Sequence, residues 1–209
     1  MSWNNNISGL FFALLLITGS ISCSGQNPVV QVAKKKCTYD TKYSGEKLII
    51  HYTSDTVNLE SPVDYWLEHF INLPDSIKLL IIGKLLAYEN DTSLCCMNVV
   101  NRSFNGIEGC RGKPNGVDRY TIQVDALFMI NRLCWPRSME LYSCTPVLYD
   151  NKLMKPINDE QEKIKYVFAE YKKWYEECKT LGRIPAYFPF NDGQYVWYGG
   201  RRSGVSKDY

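Results

Sequence analysis

A mainly α-helical domain of antiparallel hairpins, with a long cysteine-rich loop and a long C-terminal helix, is what the patterning of this chain predicts. Apolar residues recur at helical spacing over 61–73, 75–86, 118–134 and 158–181. Pro62, Pro74, Pro136 and Gly182 fall at the boundaries of those stretches, where helix starts and stops belong. Between the second and third stretch lies an irregular segment, 89–117, rich in Asn, Gly and Cys. With 209 residues, 45% of them hydrophobic and 22% charged, there is material for one core, so residues 37–200 are expected to form a single domain.

The chain begins with an export signal. Residues 1–22 carry no charged side chain, and Ile7 to Ile21 is an apolar run interrupted only by small residues. At about 15 residues it is shorter than the roughly 20 that a membrane-spanning helix needs, and small residues crowd its end. Cleavage after Ser20-Ile21-Ser22 would leave Cys23 first in the mature chain. Here the sequence resembles bacterial lipoprotein precursors, whose cysteine is acylated before cleavage. The resemblance implies lipidation at Cys23 and a membrane anchor; the alternative is an ordinary secreted protein cut nearby. Residues 23–36 then read as the anchor and a solvated tether ending in Lys34-Lys35-Lys36.

Each element of the domain follows from its residues. Lys47 to Thr53 is short and β-branched, and periodicity does not separate strand from buried helix there. Ser61 is placed to cap a helix whose first position is Pro62, with Val63, Trp66, Leu67, Phe70 and Ile71 at helical spacing. After Pro74, Asp75 opens a run that is apolar on nearly every side, which predicts a helix in the middle of the core. Two helices joined so closely should form a hairpin. Tyr120, Val124, Leu127, Phe128, Ile130 and Cys134 make the stripe of the third helix. The last begins at Asn158, with Gln161 completing a capping box, and ends at Gly182. Tyr195 to Tyr198 suggests a short extended piece, and residues 201–209 a frayed tail.

The stretch from Gln123 to Leu133 looks like an inner helix of a HEAT-type repeat, where a V-x-x-A-L-x-x-I pattern packs on its neighbour. That resemblance covers Ser61 to Leu133 and implies stacked helical hairpins. The mature chain is also similar to exported lipoproteins of Gram-negative bacteria, which implies an inner- or outer-membrane protein facing the periplasm or cell surface.

Apart from Cys23 there are seven cysteines, an odd number. Cys95, Cys96, Cys110, Cys134 and Cys144 lie close enough in sequence to tie the loop region by disulfides in an oxidising compartment, with burial as plain apolar side chains as the alternative. Neither cysteine spacing nor histidine supply suits zinc, so no metal is expected.

A net charge of +2 gives no field for a phosphate backbone, which argues against nucleic acid. Ile82-Gly83-Lys84 lacks a preceding phosphate loop, which argues against nucleotides and other cofactors. His51 and His69 are the only histidines, and neither has a nucleophile placed beside it by the pattern; Asp64 and Glu68 share one helical face rather than facing across a cleft. The expectation is therefore not an enzyme but a membrane-anchored protein–protein interaction module, of immunity or assembly type, with an unknown protein partner. Tyr88, Phe104, Tyr120, Tyr142, Tyr149 and Trp197 are the candidate contact residues, each with simple packing as its alternative. The competing class is a glycan-binding surface lipoprotein, with Tyr195, Trp197 and Tyr198 as stacking platforms.

Overall fold

The computed structural model describes residues 28–37, 44–62, 67–99, 113–135, 145–187, 189 and 193–199. Cys23, Asp64, Phe104, Cys110, Tyr142 and Cys144, together with residues 1–22, read as an export signal, and 201–209, read as a tail, lie outside these residues. The described chain is mixed α/β, which overturns the mainly helical, HEAT-like expectation. Two antiparallel three-stranded sheets flank the helices. The first comprises β1 (Val29–Lys36), β2 (Glu46–Thr53) and β3 (Asn58–Glu60) in that order. The second has the order β5-β4-β6, from β4 (Leu148–Asp150), β5 (Lys155–Pro156) and β6 (Tyr195–Trp197). The helices are α1 (Glu68–Ile71), α2 (Asp75–Leu86), α3 (Ile122–Cys134) and α4 (Gln161–Leu181).

The ambiguous segment 47–53 is thus a strand, and it is the central one of its sheet. Leu48, Ile49, Ile50 and Tyr52 are all buried, the continuous apolar run of a strand covered on both faces. Its partner β1 occupies most of the stretch read as a tether. Val30 is buried and Val32 partly so, two residues apart, and that alternation suffices to bind one face of the strand to the core. Register runs from Val29↔Thr53 to Lys36↔Glu46.

The far edge of β2 is closed piece by piece. β3 pairs with His51, Tyr52 and Thr53. Beyond it the backbone N–H of Ile50 donates to the Ser61 hydroxyl (2.8 Å), and the Ile50 carbonyl accepts from the Ser61 N–H (2.8 Å). Ser61 therefore completes the sheet rather than capping a helix. Next, the Leu48 N–H donates to Oδ2 of Asp125 on α3 (2.9 Å), and the Cys96 N–H donates to the Glu46 carbonyl (3.0 Å).

The core centres on α3, not α2. Every residue from Ile122 to Leu133 is buried, whereas α2 exposes Ser76, Leu80 and Lys84, one turn apart. Against α3, α4 lies in the same direction: Gln123 bonds Gln161 (3.2 Å), Tyr171 bonds Asn131 (2.6 Å), and the rings of Trp135 and Trp174 stand 5.4 Å apart. The hairpin expected of 61–73 with 75–86 would need a first helix as long as α2, and stacked hairpins would need α2 to be followed directly by another helical pair. The intervening chain instead adds a bridge to β2 (Glu46↔Cys95), and α1 has only four residues. At the end of α4, Gly182 takes φ 63° and its N–H bonds back to Lys179, the stop the sequence predicts. The start differs: Asn158 bonds Leu148 N–H and the Pro146 carbonyl, tying the second sheet to the helix instead of capping it.

Candidate functional site

The second sheet has one face in the core and one outward. Leu148 pairs with Trp197, and Tyr149 pairs with both Pro156 and Val196. Because successive strand residues point to opposite faces, Leu148, Asp150 and Trp197 face inward while Pro156, Tyr149 and Val196 form one outward row. Burial agrees: the inward three are inaccessible and the outward three half-buried. Tyr198 packs its ring on Tyr149 with centroids 5.2 Å apart, and Tyr195 meets Tyr166 edge-on at 5.4 Å.

Behind this row the support is rigid. The Trp197 indole N–H donates to the Tyr171 hydroxyl (2.9 Å), which donates to Oδ1 of Asn131 (2.6 Å), and Trp197 packs on Phe128 at 5.6 Å. Burial drives the Tyr171 phenol far above its ordinary range, so it stays neutral as a bonding group. The chain from strand β6 through α4 to α3 is thereby fixed by polar contacts inside an apolar core.

The turn joining β4 to β5 is held as firmly. Oδ1 of buried Asp150 accepts the N–H groups of Lys152 and Leu153 (3.0 Å each), and its Oδ2 accepts from Lys163 Nζ (3.1 Å). Burial alone would raise the Asp150 pKa; the Leu153 N–H, Lys163 and the Lys152 N–H outweigh it and hold the carboxyl below its ordinary value. Asn151 clamps the turn to the β6 side through its N–H to the Gln194 carbonyl (2.8 Å) and its amide to the Gly193 carbonyl (3.0 Å). At the tip, Leu153 and Met154 are 55% and 71% exposed, and Met154 takes φ 53°.

Of the four contact candidates among the described residues, only Tyr149 lies on this outward face. Trp197 is directly beneath it and 1% exposed, so it supports the face rather than meeting a partner. The stacking platform of Tyr195, Trp197 and Tyr198 accordingly does not form. Tyr120 is 1% exposed and belongs to the core, with its carbonyl accepting the Cys95 N–H. Tyr88 is half-buried, and its hydroxyl donates to the Val32 carbonyl (3.0 Å), bracing β1. The exposure of Leu153 and Met154 was not read from the sequence. Their signal is Asp150-Asn151, two turn-forming side chains immediately before two apolar residues that the turn then exposes.

The cysteines also divide differently from the sequence reading. Cys96 pairs with Cys37, 59 residues earlier, and not within the loop set. Cys95 and Cys134 are free thiols, as is Cys178. Burial pushes the Cys95 thiol up to about 12, with the carboxylate of Asp125 adding to it. It is a poor nucleophile at neutral pH. His51 Nδ1 lies 3.4 Å from Glu60, while His69 is exposed on α1. Among the described residues no group of three or more His, Cys, Asp or Glu is placed to hold a metal ion, and no helix is long and apolar enough to cross a membrane. Compared with family models, with curated proteins and with solved structures, the chain matches none.

Proposed function

We propose that this chain is an exported, membrane-anchored interaction module that binds a protein partner through the outward face of its second sheet. The observation that supports this reading is the Tyr149–Tyr198 pair. Two half-exposed aromatic rings pack on each other at the surface, on strands whose inner side is locked by Trp197, Tyr171 and Asn131. Aromatic anchors on a pre-ordered backbone lose little freedom on binding, and such residues concentrate interface energy. An inhibitor-like role, occluding an incoming toxin, and a role in assembly both use such a face.

The test is cross-linking and recovery of a C-terminally tagged chain from its own cells. A stoichiometric partner should be recovered with the native chain, and its yield should fall at least ten-fold with Tyr149→Ser/Tyr198→Ser. Lys173→Ser, on the exposed side of α4, should leave it unchanged. Equal recovery with the tyrosine variant would sink the assignment of the face. Cys23→Ala should release the protein from membranes.

A further inference from the structure

We propose that the tip of the β4–β5 hairpin, Lys152-Leu153-Met154-Lys155, inserts into the surface of an anionic bilayer as a second membrane contact. The proposal rests on the anchored reading for its supply of a nearby membrane, since the six residue steps from Cys23 to Val29 could span at most about 20 Å.

The tip itself is built for exposure. Leu153 and Met154 are adjacent, and they are the two most exposed of the large hydrophobic residues described. They do not owe that exposure to looseness. Asp150 accepts both turn N–H groups, Lys163 holds Asp150, and Asn151 is tied to Gly193 and Gln194. Met154 also sits at φ 53°, a left-handed position that Gly or Asn fills at least cost. A long apolar side chain there is not what the turn requires; the surroundings of the side chain account for it better.

Charge and size choose the surroundings. Lys152 and Lys155 flank the apolar pair and are exposed, and no carboxylate stands between Asp150 and Asp159. Asp150 is engaged by Lys163, and Glu160 by Lys155 and Lys163 at 2.9 Å each, while Asp159 is exposed beyond the hairpin; Lys152 is thus the tip lysine with no carboxylate partner among the described residues. Lysines beside buried aliphatic groups suit a layer of anionic headgroups over acyl chains. A protein interface of ordinary stability covers roughly 800 Å² on each side, far more than two side chains at a hairpin tip offer, whereas a bilayer only needs depth.

The experiment is flotation of the chain from Ser24 to Tyr209, which keeps every described element and has no lipid. The vesicles are phosphatidylcholine alone or equal parts phosphatidylcholine and phosphatidylglycerol. The native tip should partition to the anionic vesicles, and Leu153→Ser/Met154→Ser should weaken that by roughly ten-fold or more. Lys152→Glu should abolish the preference for the anionic vesicles. Thermal unfolding of each variant should match the parent, because the altered side chains are exposed. No partition of the parent, or equal partition of the serine variant, would overturn the proposal. So would a serine variant that floats normally but loses the cross-linked partner, which would make the tip a protein contact. Failure of the anchor reading is seen separately, as full-length Cys23→Ala/Leu153→Ser/Met154→Ser, which lacks both contacts, remaining with the membrane in cells.

Discussion

Asp125 stands in for a strand. The Leu48 N–H points to the β3 edge of β2 but lies past the end of β3, and without the carboxylate it would be a buried donor with no acceptor. Asp125→Ala removes the acceptor and leaves that donor unpaired, at a cost of about 3 kcal/mol. Asp125→Asn keeps an oxygen in place and should cost about 1 kcal/mol. Urea denaturation of the two variants checks the difference; equal, small losses would mean the N–H finds another partner. This role was invisible in the sequence. Gln123, Asp125, Asn131 and Arg132 are polar by type, yet all four are buried. Each is tolerated by contacts that only the tertiary structure supplies, such as Gln123 with Gln161 and Asn131 with Tyr171. The same blindness misplaced Tyr120 and Trp197, since an aromatic residue fits a core or a surface equally well by composition.

Among elements, the three long helices were legible, while the helix expected over 61–73 is reduced to α1 among the described residues and most of the strands escaped. Asp75–Leu86, Ile122–Cys134 and Gln161–Leu181 fall within a few residues of where apolar periodicity and the Pro and Gly signals put them. β1 escaped because three of its eight residues are lysines and only Val30 is fully buried, so its pattern is that of a solvated segment. β4 and β5 are three residues or fewer, too short for any period, whereas β6 falls where Tyr195 to Tyr198 suggests an extended piece. The contact of α2 with α4 also rests on something a sequence does not display. Gly83, inside α2, faces Tyr175 so closely that a Cβ would stand 2.5 Å from its hydroxyl oxygen. Gly83→Ala gains about 1 kcal/mol of helix propensity but must push that ring aside. The two effects should nearly cancel in the native background. In a Tyr175→Ala background the same substitution should be stabilising by close to the full propensity gain. A double-mutant cycle read by thermal unfolding measures the coupling; identical effects of Gly83→Ala in both backgrounds would show that the helices do not meet there.

At the scale of the whole molecule, acid-sensitive pairs shape how stability varies with pH, and the disulfide described closes a long covalent loop. Lys35 lowers the pKa of Glu60, and Lys155 and Lys163 lower that of Glu160; Asp91 and Asp150 are lowered too, by Ser93 with Lys34 and by turn N–H groups with Lys163, against the effect of burial. A carboxylate whose folded pKa lies below its unfolded value contributes above the unfolded value and loses that contribution as pH falls through the folded one. Stability should therefore be level near neutrality and decline below about pH 4, where these groups protonate. Asp150→Asn should flatten part of that decline in melts taken across the acid range. The disulfide acts through the other state. Cys37 and Cys96 enclose β2, β3, α1 and α2, a separation of 59 residues. Their flanking backbone is held independently, by the Cys37 N–H on the Gly45 carbonyl (3.3 Å) and the Cys96 N–H on the Glu46 carbonyl (3.0 Å). Opening the bond thus leaves the folded contacts in place and mainly frees the unfolded chain, worth about 4 kcal/mol for a loop of this length. For a domain of this size that is a fall in Tm of roughly 10 °C. Cys37→Ala/Cys96→Ala should show that fall while retaining the native circular dichroism spectrum at room temperature. An unchanged Tm would mean that the unfolded chain gains nothing from release, and that the two sheets, not the bond, hold the ends of this loop.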